Sequence, residues 1–138
     1  MSSRRPTASK QSPSGSTGDR RPGTWLWFRL AVDARSPAEE EFKSLPVAGR
    51  AGLAKLVERF LAGESRYKDV SSLGDGLLEL RYRQGNDHYR VLFFRHGANY
   101  VALTAFYKNQ QRTPKADVDR ARQRARRWIE VYGARSGS

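Results

Sequence analysis

No cysteine occurs in the 138 residues, and histidine appears twice, as His88 and His96. The first absence excludes a disulfide framework, a thiolate zinc site and a cysteine nucleophile together. Two histidines without a His-rich or carboxylate cluster beside them do not make a metal site. Neither a metal nor another cofactor is therefore expected. Long apolar runs are also missing: nothing approaches the roughly 18 residues of a membrane span. The stretch Met1 to Gly23 is basic but lacks the apolar segment of a secretory signal. The expectation is a cytoplasmic protein with no membrane partner. Acidic residues are few relative to basic ones, 14 Asp and Glu against 26 Lys and Arg.

That imbalance leaves a formal net charge of +12. Such a balance favours polyanionic partners, because phosphate binding releases condensed counterions. Most of the basic residues are arginine, whose planar fork grips phosphate in a bidentate way that lysine does not match. Hydrophobic residues make up 38% and aromatic residues 11% of the chain, enough for one compact core. Residues 1–23, rich in Ser, Pro, Gly and Arg, read as a disordered basic arm. Residues 24–138 read as a single domain with no internal repeat.

Order is expected from Thr24. The run Trp25 to Val32 is aromatic and β-prone, and predicts a strand. Ser36-Pro37-Ala38-Glu39 is a capping box with proline at the first helical position. It predicts a helix over Pro37–Leu45 that stops before Pro46. Leu53, Leu56, Val57, Phe60 and Leu61 are at helical spacing and predict a second helix, with Gly63 as its C-terminal cap. The two would form a hairpin. Glu64 to Gly76 reads as a loop.

Three strands are predicted next. In Leu77 to Arg83, Leu78, Leu80 and Tyr82 point one way and Glu79, Arg81 and Arg83 the other. His88 to Arg95 and Tyr100 to Tyr107 are apolar on both faces, as central strands are. Thr113-Pro114 opens a last helix, where Thr113 is the expected N-cap and Val118, Ala121, Ala125, Trp128, Ile129 and Tyr132 form an apolar stripe among arginines. The order strand, helix, helix, three meandering strands, helix describes an α/β (α+β) fold with a mainly antiparallel sheet.

Candidate chemistry sits on those strands. Arg81 and Arg83 project side by side from one strand face. Arg90 interrupts an apolar central strand, where an unpaired charge is costly. Lys108 stands where the chain leaves the sheet. If they converge, a phosphate fits between them, its developing charge neutralised by the cations. Each has a structural alternative: Arg81 and Arg83 as solvated charges beside Glu79, Arg90 as a partner of Asp87 or Glu79, Lys108 as an ordinary loop lysine. The arginines of the last helix, Arg120, Arg122, Arg124, Arg126 and Arg127, fit either a solvated face or an RNA-backbone contact.

Four pieces in order resemble one known family. They are Gly76-Leu77-Leu78-Glu79-Leu80-Arg81, Tyr89-Arg90-Val91-Leu92-Phe93, Leu103-Thr104-Ala105-Phe106-Tyr107-Lys108, and Thr113-Pro114 with its Ala/Arg-rich helix. Together they look like the phage-derived host-killing branch of the RelE/HigB toxins, over about Trp25 to Tyr132. The resemblance implies a RelE-like fold and a ribosome-associated mRNA endonuclease of a type II toxin-antitoxin system. It further implies a cognate antitoxin that often carries a helix-turn-helix domain. Such enzymes use no metal: the 2′-hydroxyl attacks the adjacent phosphate and leaves a 2′,3′-cyclic phosphate. The family's catalytic basic residues carry over to Arg81, Arg90 and Lys108, and Arg83, Arg112 and Lys115 stand as RNA-binding residues beside them.

This chain departs from the pattern at two places. Relatives commonly carry a second basic residue after the lysine, where this chain has Asn109. The tyrosine that some members use as proton carrier has no match, since Pro114 and Val118 occupy that region. Tyr107, His88 and His96 are the remaining candidates for proton transfer. A non-catalytic RNA- or ribosome-binding module and a phage-derived DNA-binding protein stay open as alternatives.

Overall fold

A computed structural model describes residues 23–133 of the chain; the expected basic arm lies almost entirely outside them. The elements run β1 (Thr24–Trp27), α1 (Pro37–Lys43), α2 (Val47–Leu61), β2 (Val70–Gly74), β3 (Leu77–Gln84), β4 (Asp87–His96), β5 (Asn99–Lys108) and α3 (Lys115–Tyr132). The five strands form one sheet in the order β1-β5-β4-β3-β2. All neighbours are antiparallel except β1, which lies parallel to β5. Among the described residues no helix is long and apolar enough to cross a membrane.

The expected α+β architecture is what the chain adopts, with differences at its edges. Ser36 caps α1 as its sequence predicts, its hydroxyl accepting from the Glu39 N–H at 3.0 Å. The first strand is shorter than its apolar run. Phe28 still donates to the Ala102 carbonyl at 2.9 Å, but beyond that point Glu41 of α1 takes over the β5 edge. Its carboxylate accepts from the Thr104 hydroxyl at 2.7 Å and the Ala105 N–H at 3.3 Å. A strand and a helix cannot both occupy that edge. The segment expected to be a loop contains β2, a short edge strand whose polar Val70-Ser71-Ser72 run shows no alternation to read. Its ladder with β3 supplies the order instead.

Two apolar clusters cover the two faces of the sheet. On one, Leu77, Leu92, Phe94, Val101 and Leu103 pack with Phe28, Ala121 and Trp128, under α3. On the other, Leu80, Tyr89, Val91, Phe93 and Ala105 pack with Leu45, Leu53 and Leu56, under α2. Helix α2 lies against β3 and β4, whereas α1 lies along β5. The alternation of β3, with Leu80 and Tyr82 toward α2 and Glu79, Arg81 and Arg83 away from it, follows from this division.

Helix α2 approaches the sheet closely because it presents glycines to two tyrosine rings. A methyl group at Gly49 would lie 2.0 Å from the Tyr89 ring, and one at Gly52 2.3 Å from the Tyr82 ring. Tyr89 has little room to yield, being 3% exposed and stacked on Tyr107 at 5.1 Å. Gly49→Ala is therefore expected to lower stability by about 1–3 kcal/mol through overpacking. Urea or thermal unfolding reads the effect. A gain of about 1 kcal/mol, which helix propensity alone would give, would contradict this packing.

Candidate functional site

Strand register builds the site. Residues directly across a ladder share a face, as do residues two apart along a strand. Arg83 of β3, His88 of β4 and Lys108 of β5 form one such row, and Arg81, Arg90 and Phe106 form the next. A third row holds Glu79, Leu92 and Thr104. All three lie on the face that carries α3. Helix α3 covers the Leu92 end of this face, leaving the Arg83-His88-Lys108 row at its open end. The chain links β5 to α3 through residues 109–114, which cross above Arg90.

Arg90 is the anchor of that crossing. It is fully buried, at 0% exposure, and its guanidinium donates to three consecutive carbonyls. Arg112 accepts at 2.9 Å, and Gln110 and Gln111 at 2.5 Å each. The Glu79 carboxylate, 2% exposed, stands 3.9 Å from the Arg90 Nε. Burial pulls the Arg90 pKa down, against the opposing pull of Glu79, yet guanidinium stays charged in proteins. The expectation that Arg90 lines an open phosphate site thus meets a different geometry. In this arrangement its hydrogen bonds go to the loop, and the open surface belongs to its neighbours.

Glu79 gathers the rest. Its carboxylate pairs with the Arg81 Nε at 3.1 Å and accepts from the Ser71 hydroxyl at 3.3 Å. The Thr113 hydroxyl also donates to it. Thr113 is therefore spent on Glu79 and does not cap α3, whose N-cap is Pro114 without a side-chain bond. Arg81 donates in turn to the Gln111 carbonyl. It remains part-exposed, with 28% of its side chain open. From sequence Glu79 stands only as a partner for Arg81, Arg83 and Arg90. The available signal was a lone acid on the same strand face as Arg81 and Arg83.

The remaining candidates differ in freedom. Lys108 and Arg112 are exposed, and their side chains have no ion-pair or hydrogen-bond partner among the described residues. Arg83 is exposed and donates to the Gly85 carbonyl at 2.9 Å. Lys115 is held by Asp119 at 2.8 Å, and that hydrogen bond raises its pKa. The α3 arginines are largely committed within the fold. Arg120 pairs with Asp117 at 2.7 Å, Arg122 donates to the Leu73 carbonyl at 2.9 Å, and Arg124 meets Glu41 at 2.9 Å. Arg127 pairs with Glu130 at 3.4 Å, whereas Arg126 is exposed without such a partner.

Tyr107 and His96 both lie away from the open end of this face. Tyr107 belongs to the opposite face, stacked on Tyr89. His96 sits at the far end of β4, bonded to the Gly133 carbonyl at 3.0 Å. A groove of about 540 Å³ beside α1 is lined by Glu40 and Glu41, and its charge is wrong for a phosphate. Among the described residues no cluster of three His, Cys, Asp or Glu side chains is placed to hold a metal ion.

Removing one partner of a buried ion pair strands the other charge, at about 3–5 kcal/mol. Glu79→Ala is expected to cost that much in chemical denaturation. Glu79→Gln, which keeps an acceptor for Thr113 and Ser71, is expected to cost less. Equal stability of Glu79→Ala and the parent chain would show that the network bears no load.

Comparison with known proteins identifies the family. Residues 40–126 match the family described as "Phage derived protein Gp49-like". Two relatives, each named "Probable endoribonuclease HigB1", come from the CDC 1551 / Oshkosh and H37Rv strains of Mycobacterium tuberculosis. Both are 45% identical to this chain over 111 residues, 80% of it and 89% of the relative. The chain therefore belongs to the phage-derived Gp49-like family, within the RelE/HigB type of toxins.

Proposed function

We propose that the protein is an endoribonuclease toxin that cleaves mRNA on the ribosome, and that the open cationic face binds the scissile phosphate. The observation that carries this reading is the pair of adjacent cross-strand rows, which bring the exposed Arg83 and Lys108 and the part-exposed Arg81 to one end of one face. The name carried by the 45% identical relatives supports the same activity. Arg81 and Lys108 flank the phosphate and stabilise the charge that develops on its oxygens. In a partly desolvated site such contacts are worth more than in water. Arg83 and Arg112 hold the flanking backbone. Lys115, neutralised locally by Asp119, contributes less.

Arg90 acts through the loop. Its three carbonyl bonds fix residues 110–112, and with them the Arg112 side chain and the exit of the chain after Lys108. Position matters here, because a displacement of about 1 Å in a catalytic group costs on the order of 100-fold in rate. The reaction is attack by the 2′-hydroxyl on the adjacent phosphate, for which this chain supplies charge and placement.

The partners follow from that role. Translated mRNA and rRNA are the polyanions, which puts the protein in the cytoplasm. A cognate antitoxin, of the helix-turn-helix kind often paired with this family, neutralises it.

Lys108→Ala and Arg81→Ala are each expected to slow mRNA cleavage about 100- to 1000-fold. Lys115→Ala is expected to change it less than about 10-fold. Primer extension on translated transcripts after induction measures both. If translation stops with no specific cuts in the parent chain, the protein is a ribosome-binding module and the nuclease reading fails.

A further inference from the structure

The cationic face contains one imidazole, His88, and it lies at the centre of its row. His88 has Arg83 directly across on β3 and Lys108 directly across on β5. It is half-buried, and no ion pair or hydrogen bond engages its ring among the described residues. The other two candidates for proton transfer are excluded by place. Tyr107 is on the face that α2 covers, stacked on Tyr89, and His96 is bonded to Gly133 at the opposite end of β4.

We propose that His88 is the proton acceptor of the cleavage step, a role that rests on the nuclease reading above. Its free ring nitrogen takes the proton of the 2′-hydroxyl as the 2′-oxygen forms a bond to phosphorus. The bond from phosphorus to the 5′-oxygen breaks, and that oxygen takes a proton from water. The imidazolium then returns its proton to the hydroxide so formed. The products are a 2′,3′-cyclic phosphate and a 5′-hydroxyl end, with no net proton change. Arg81 and Lys108, proposed above to flank the phosphate, share the sheet face of His88, so acceptor and charge stabilisers stand together.

The surroundings keep this group in the form the step needs. Burial lowers the His88 pKa, and Arg90, Arg83 and Arg81 lower it further, with Asp87 alone opposing them. Lys108 of β5 adds a further positive charge to the row. The ring is thus neutral at neutral pH and able to accept. A base works when deprotonated, so cleavage is expected to be flat at neutral pH. It should fall about tenfold per unit once the pH drops through the lowered pKa, below about 6.5.

The test is single-turnover cleavage of ribosome-bound mRNA across pH, by the parent chain and by His88→Ala and His88→Asn. Expected are a loss of about 100- to 1000-fold at neutral pH, unchanged ribosome pelleting, loss of the acidic limb in both variants, and partial rescue of His88→Ala by added imidazole. Thermal melts establish that at least one variant is folded. Cleavage by a variant at the parental rate would overturn the assignment and leave the nuclease reading intact. So would a slowed variant whose acidic limb persists. Absence of cleavage by the parent chain itself would overturn the nuclease reading, and the assignment with it.

Discussion

A guanidinium held at 0% exposure inside a small sheet is the constraint around which this molecule is arranged. Desolvating an isolated cation costs several kcal/mol, and only paired charge and well-placed acceptors offset it. Arg90 receives both, from the Glu79 carboxylate and from three successive carbonyls of residues 110–112. Hydrogen bonds to an ionised donor are roughly twice as strong as neutral ones. The compensation has a structural by-product. The chain that leaves β5 cannot follow an arbitrary path to α3, because its backbone must cross above Arg90 and present those carbonyls. Charge burial in the core and loop geometry at the surface are thus the same interaction seen from two sides.

The fate of the positive charge follows from this layout. A net charge of +12 suggests a uniformly basic surface, yet much of it is consumed internally. Arg124 ties α3 to Glu41 of α1 and to the Leu103 carbonyl, and Arg122 ties the same helix to the β2 edge through Leu73. Arg59 of α2 pairs at 2.6 Å with Asp69, which lies in the loop before β2. These residues hold secondary elements to one another. The cations left without acids include Arg83, Lys108 and Arg112, and register and loop path bring these to one end of one face. A narrow, directed field suits the single phosphate proposed for this face, where a diffuse one would only raise general affinity for polyanions.

Much of the fold was legible because its signals are local. The capping box at Ser36, the helical spacing of α2 and the alternation of β3 each depend on a few neighbouring residues, and each element forms where they point. What could not be read depends on partners distant in sequence. The early end of β1 is decided by Glu41 competing for the β5 edge. The strand β2 exists because β3 offers it a ladder. Thr113 looks like a cap until Glu79, 34 positions earlier, claims its hydroxyl. The candidate site was half legible for the same reason. Arg81, Arg83 and Lys108 could be singled out by face and position, and a basic residue in an apolar strand marked Arg90 as unusual. Its direction could not be inferred, because the acceptors belong to a loop with no sequence pattern of its own. His88 stood beside a turn and looked ordinary until the register set it between Arg83 and Lys108.

The central claim is that the open face binds the scissile phosphate while Arg90 stays with the loop. A structure of the protein on a ribosome whose mRNA carries a 2′-O-methyl group at the cleavage position tests it most directly, since the blocked nucleophile traps the bound state. The account predicts the scissile phosphate within hydrogen-bond distance of Arg81 and Lys108, with Arg90 still donating to the carbonyls of residues 110–112. A phosphate seated on the arginines of α3, or an Arg90 side chain released from the loop to bind it, would contradict the account.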